Sequence, residues 1–197
     1  MRGMNMKKVI FAIGLLFGVS VSLYATDISQ FEIKGIKIND NYSNFEEHLN
    51  CKIINTEKLN NGLKYSYSVQ CDKNVFVLLN HNKKVVKVDR TISFTYMPNW
   101  DKVVSQIIHK YGKPIKRYYY EETIDLYWGD GRVVLHKDIP HIQTIYKGLL
   151  YSIYKKSKEI DVTLVNQNLL KKNKQWAKQQ NAKYKNNIQK KESNLDL

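Results

Sequence analysis

The 197-residue sequence is poor in the residues that define special architectures. Two cysteines, three prolines and nine glycines exclude a disulfide-dense scaffold, a collagen-like repeat and a proline- or glycine-rich disordered chain. Beyond the N-terminus no segment is long and apolar enough to cross a bilayer, which takes about 20 residues. Neither a P-loop nor a dinucleotide glycine fingerprint occurs. Serine and threonine are plentiful, yet none sits in a Gly-x-Ser-x-Gly or Ser-x-x-Lys context for a nucleophile. What remains, 43% hydrophobic and 25% charged residues, fits one globular domain or two small ones.

Acidic residues are scarce relative to basic ones. Lysine and arginine number 32 against 18 aspartates and glutamates, a formal net charge of +14. Residues 1–25 carry +3, residues 169–197 carry +6 and the segment between them carries +5. A body of +5 is only mildly basic, so the high pI is no nucleic-acid footprint of the fold.

The first 25 residues have the parts of a secretory signal peptide. Lys7-Lys8 close a basic stretch, Val9 to Tyr24 run 16 residues without a charge, and Ala25 is a small residue at the exit. Cleavage is expected after Ala25; retention as a membrane anchor is the alternative. No cysteine lies near that exit, which gives no support to a lipid-modified N-terminus. The expected location is periplasmic or secreted. In an oxidising compartment Cys51 and Cys71 read as a structural pair closing a loop of about 21 residues, worth roughly 3 kcal/mol by chain entropy. Their spacing matches neither a redox Cys-x-x-Cys nor a zinc site.

The middle of the chain reads as a helix followed by strands, twice. Ser43-Asn44-Phe45-Glu46 has capping-box spacing and predicts a short helix over 43–50. Leu63, Tyr65, Tyr67, Val69 and Cys71 alternate with polar residues, predicting a half-buried strand. Val75 to Leu79 predicts a second strand. Val86, Val88, Ile92, Phe94 and Tyr96 mark one face of a third. Trp100, Val103, Val104, Ile107, Ile108 and Tyr111 then recur at helical spacing, with Asn99 as cap and Gly112 and Pro114 as stops. Alternation returns at Ile124, Leu126 and Trp128, and Gly129-Asp130-Gly131 reads as a turn. Val133 to Leu135, Leu149 to Ile153 and Ile160 to Leu164 supply further strands. The expected fold is α+β: helices on antiparallel sheet, in a 26–168 domain of two related units at about 33–96 and 97–165.

Gly35-Ile36-Lys37-Ile38-Asn39-Asp40, followed by a capped helix, resembles the opening of small envelope proteins of the SmpA/OmlA type. Ile107-Ile108-His109-Lys110-Tyr111-Gly112-Lys113-Pro114, with Tyr127-Trp128-Gly129-Asp130 further on, looks like a pattern in exported bacterial proteins of that kind. The resemblance covers about residues 33–165. It implies a helix-plus-antiparallel-sheet fold shared with β-lactamase-inhibitor-like proteins, and a binding or assembly module without catalytic machinery.

Candidate chemistry is thin. His136 and His141 flank a proline-containing turn without a recognised ligand geometry, and His109 falls on the polar side of its helix. Tyr118-Tyr119-Tyr120-Glu121-Glu122, with Asp125 and Asp130, reads as an exposed acidic patch rather than a glycosidase pair, whose carboxyls need a cleft at fixed separation. No catalytic residue, metal site or cofactor is therefore assigned. Arg90 breaks the pattern of its strand, lying on the face of Val86, Val88, Ile92 and Phe94. Either a bulge at Asp89-Arg90 or a rim position accounts for it, or it is an anion-recognising residue on a concave face lined by Tyr65 and Tyr67.

Residues 169–197 form a Lys/Asn/Gln-rich tail, expected to be helical, with Leu170, Ala177, Tyr184 and Lys191 seven apart. Trp176 and Tyr184 are its candidate anchors. Two functions stay open: a non-catalytic exported protein whose aromatic sheet face meets a protein partner or inhibits a target, and an envelope- or polyanion-associated protein acting through the basic tail. An unrecognised hydrolase ranks behind both.

Overall fold

The computed structural model describes residues 27–129, 133–136, 139–145 and 147–193, the strands at 133–136 and 139–145 in backbone alone. The expected signal segment 1–25 and the end of the tail at 194–197 lie outside the described residues. So do Asp130 and Gly131 of the expected turn, and the side chains of His136 and His141.

Ten strands and two α-helices make up the described chain. In order they are β1 (Lys52–Lys58), β2 (Lys64–Cys71), β3 (Val75–Asn80), β4 (Val85–Ser93), α1 (Trp100–Tyr111), β5 (Lys116–Tyr119), β6 (Thr123–Gly129), β7 (Val133–His136), β8 (Ile139–Ile145), β9 (Lys147–Tyr154), β10 (Glu159–Asn166) and α2 (Gln167–Ser193). Eight strands form one antiparallel sheet in the order β1-β2-β3-β4-β10-β9-β6-β5, and β7 and β8 pair as a separate hairpin. The fold is mixed α+β.

The inward face of the sheet follows from alternation. One cross-strand row runs Cys71, Val75, Arg90, Val162, Tyr151, Leu126. Around it Tyr67, Val69, Val77, Leu79, Val88, Ile124, Trp128, Leu149, Ile153, Ile160 and Leu164 are buried in one cluster. Val104 and Ile107 of α1 join this cluster, as do Ile28, Phe31, Ile33, Ile36, Ile38, Tyr42 and Phe45 of the segment before β1. Helix α1 forms where the apolar period predicts it. Asn99 Oδ1 accepts from the Lys102 N–H (3.0 Å), and at the far end Trp128 Nε1 donates to the Gly112 carbonyl (3.0 Å).

Four expectations are corrected by the backbone. The segment 43–50 is a 3₁₀ turn at Tyr42–Asn44 continued by turns, not a helix. Asn50 takes a left-handed backbone (φ 48°), and the Cys51 N–H reaches back to the Glu46 carbonyl (2.8 Å). This closes the segment after about one turn and delivers Cys51 to Cys71, with which it forms a disulfide. Register slips at Val85-Val86 rather than at Asp89-Arg90: Leu78 pairs with Lys87 and Leu79 with Val85. Strand β4 ends at Ser93, so Tyr96 lies beyond it and is 84% exposed.

The fourth correction concerns Gly129, which is the last residue of β6 and faces Gly148 of β9. The Tyr127 ring lies over this glycine pair and its hydroxyl donates to the Lys147 carbonyl (2.8 Å). A Cβ on Gly148 would stand 2.9 Å from Tyr127 Cε2 and 2.8 Å from the Gly129 Cα. Both glycines have positive φ (156° and 154°), so the pair gives the ring a place to lie that no side chain would leave open.

Candidate functional site

The feature that stands apart from the core is α2 and its junction with β2 and β3. Asn166 starts the helix, its Oδ1 accepting from the N–H groups of Asn168 (3.1 Å) and Leu169 (3.4 Å). Within the helix Leu169, Leu170, Asn173, Trp176, Ala177, Gln180, Asn181 and Tyr184 are buried or half-buried, at the three- and four-residue spacing of one helical face. From Lys185 to Lys191 every residue is exposed.

A polar side chain seats this face. Asn173 is 6% exposed. Its Nδ2 donates to the Tyr65 carbonyl (2.7 Å), and its Oδ1 accepts from the His81 N–H (3.1 Å) and lies 2.7 Å from His81 Nδ1. Trp176 stacks on the His81 ring, and Asn181 Oδ1 accepts from the Asn60 N–H (3.2 Å). The body end of α2 is thereby tied to three loci: the β1–β2 turn, the start of β2 and the β3–β4 turn.

All eight lysines of α2 (171, 172, 174, 178, 183, 185, 190 and 191) are exposed. Glu192 is the one acid in its sequence. The arrangement is therefore a cationic rod fixed to the body along one side. It can attract anions by charge, and its lysine stems can lie along an apolar surface while the ammonium groups stay hydrated.

Of the residues singled out in the sequence, Tyr65 and Trp176 meet at this junction, through Asn173 and His81. Tyr184 lies on the same helical face two turns further on. Tyr67 is buried in the sheet core, with Lys83 Nζ 5.9 Å from its ring centroid. Arg90 does not meet Tyr65 or Tyr67. It is half-buried on the inward face between Val75 and Val162, its Nε without a hydrogen-bond partner, and its charge acts on Tyr151. Burial, chiefly, and the Tyr151 hydroxyl's bond to the Tyr111 hydroxyl (3.2 Å) push the Tyr151 pKa far up, while Arg90 opposes the shift.

The expected acidic patch separates as well. Asp125 is fully buried on the outward face, paired with Ser152 in the strand register, whereas Glu121 and Glu122 are exposed. His109 is exposed on α1. Among the described residues no three His, Cys, Asp or Glu side chains come together to hold a metal ion, and no described helix is long and apolar enough to cross a membrane.

Sequence reasoning missed Asn173 and His81. A polar residue in a polar helix carries no periodic signal, and only the burial of Asn173 against two backbone groups marks it. No protein-family model, curated protein or solved structure matches the chain.

Proposed function

We propose that this is an exported, non-catalytic binding protein that contacts an anionic polymer or lipid-headgroup surface of the cell envelope through α2. The observation that carries the reading is the placement of the lysines. Every one is exposed, while the helix is held to the body by Asn173, Trp176 and Asn181 rather than left to fray. A docked helix presents its charges at fixed positions, so less ordering entropy opposes contact than for a free tail. Each lysine near an anionic surface helps by about 1 kcal/mol. The Cys51–Cys71 bridge accords with maturation outside the cytoplasm. The same reading takes the SmpA/OmlA resemblance as that of a binding module, with helices on one side of a sheet built from two four-stranded units.

The test is retention on vesicles of phosphatidylglycerol and phosphatidylcholine in equal parts, at low and high salt. The chain should be retained at low salt and released at high salt, and deletion of 169–197 should abolish retention. Replacing Lys183, Lys185, Lys190 and Lys191 by glutamine should weaken it without disturbing the docked face. Unchanged retention after the deletion decides against the reading.

A second reading, a protein partner held by the sheet, has its own observation. Strand β1 is an edge strand exposed on both faces except at Thr56, with Ile53 and Ile54 in the open. Beside it lies a cleft of about 420 Å³ lined by Lys52, Ile54, Gln70 and Asp72, among others. A partner adding a strand here would resist salt, because main-chain hydrogen bonds and apolar contact would hold it.

A further inference from the structure

We propose that the cleft between α2 and the β1–β2 hairpin seats a phosphate group carried on a small polyol or sugar. The inference rests on the reading of α2 as the contact surface and adds the place where one anionic group of the partner is held.

Three lysines line this cleft of about 270 Å³. Lys58 comes from the end of β1, and Lys174 and Lys178 come from successive turns of α2. The walls keep a fixed separation. Asn173 ties α2 to Tyr65 on one side, and Asn181 ties it to Asn60 on the other. The residues lining the cleft include no carboxylate, and the nearby Glu57, chiefly through hydrogen bonding, holds the Tyr65 pKa above its usual value. The charge around the cleft is therefore net positive. Lys183, Lys185, Lys190 and Lys191 do not line it.

The donor set selects the anion. A lysine ammonium is a compact charge with three rotatable donors, and three such side chains around one cleft suit a dianion with three free oxygens, the charge state of a phosphate monoester. A carboxylate has one charge and two oxygens, and it is matched best by a planar guanidinium, which this cleft lacks. Leu59 and Ala177, each 6% exposed, and the ring of Tyr65 form an apolar floor. A carbon body attached to the phosphate can lie there, which inorganic phosphate cannot exploit.

The experiment titrates the chain from residue 26 onward with glycerol 3-phosphate, and separately with inorganic phosphate, at constant ionic strength, by two-dimensional amide NMR. The expected result is saturable shifts at Leu59, Lys178 and Asn181, tighter for glycerol 3-phosphate. These shifts should weaken at least about tenfold in the Lys58→Gln/Lys174→Gln/Lys178→Gln variant and persist when the four distal lysines are glutamine. Non-saturating shifts shared by all lysines overturn the proposal, as does an unchanged titration of the triple variant. Vesicle retention run alongside separates the two levels of the argument. Salt-sensitive retention without a local titration removes the cleft and leaves α2 as contact surface; loss of both removes both. The source of the phosphate monoester is read from the triple variant on vesicles containing phosphatidic acid: lost retention marks a lipid headgroup, and unchanged retention beside a lost glycerol 3-phosphate titration marks a free phosphate monoester.

Discussion

The indole of Trp176 lies flat on the imidazole of His81, ring centroids 3.9 Å apart and planes within 4° of parallel. The same imidazole meets Asn173 one turn earlier on the helix, so a single residue of the β3–β4 turn receives two of the three anchors of α2. Replacing Asn173 by alanine strips partners from the Tyr65 carbonyl and the His81 N–H, at a cost of about 2 kcal/mol. Hydrogen exchange should speed up between Leu169 and Tyr184 while β3 and β4 keep their protection. Wild-type exchange in the variant would show that Asn173 does not hold the helix.

The facing glycines of β6 and β9 make a second prediction. Gly148→Ala places a methyl against the Trp128 carbonyl and the Tyr127 ring in a backbone region that alanine avoids. The expected loss is ~3 kcal/mol from strain and overpacking together, read as a lower urea midpoint. A shift within error would mean that the strand ends part easily.

Joining Cys51 to Cys71 across 20 positions should stabilise the fold by about 3 kcal/mol. Alkylation without reductant should leave the intact mass unchanged, and the double serine variant should melt well below the parent. Free thiols in protein recovered from the envelope would remove the bridge and, with it, one support for export.

Tyr151 gives a pH dependence with a definite sign. Below about pH 10 this phenol keeps its proton whether the chain is folded or unfolded, and stability does not depend on it. Above that, the unfolded phenol ionises while burial and the bond to Tyr111 hold the native proton. The native state then binds more protons, and stability falls by about 1.4 kcal/mol per pH unit from this group. Urea midpoints of the parent and Tyr151→Phe, taken from pH 8 to 11, should converge on the alkaline side; parallel curves would contradict the assignment.

Arg90→Met exchanges a half-buried guanidinium with an unpartnered Nε for an apolar chain of similar length between Val75 and Val162. Stability should be unchanged or rise by about 1 kcal/mol, measured by thermal melting. A folded variant with unaltered ligand or partner binding would mark Arg90 as structural; lost binding would restore it as a recognition residue.

How much was legible in the sequence depended on whether an element buries one face. Helix α1 was readable at both ends, because the stripe from Trp100 to Tyr111 and the stops at Asn99 and Gly112 agree. Strand β1 left no trace: Lys-Ile-Ile-Asn-Thr-Glu-Lys is exposed nearly throughout, so nothing forces apolar and polar residues to alternate. The 43–50 segment has a local capping signal, but the left-handed Asn50 and the bond from the Cys51 N–H to the Glu46 carbonyl end it where Cys51 must reach Cys71. Gly129 looked like the start of a turn because its partner, Gly148, is nineteen positions away.

The order of local periods in the chain is enough to dictate alternating strands, the amphipathic helix before Gly112, the single sulfur pair and the concentration of lysines near the C-terminus. These depend on neighbours within a few residues, where side-chain geometry is set by the backbone period alone. Which strand lies beside which, that β4 meets β10, that Asp125 is buried and that a polar helix is held by Asn173 and His81 were decided only by the tertiary structure. Those outcomes depend on groups remote in sequence satisfying each other's hydrogen bonds and excluding water together, and no local pattern records such pairs.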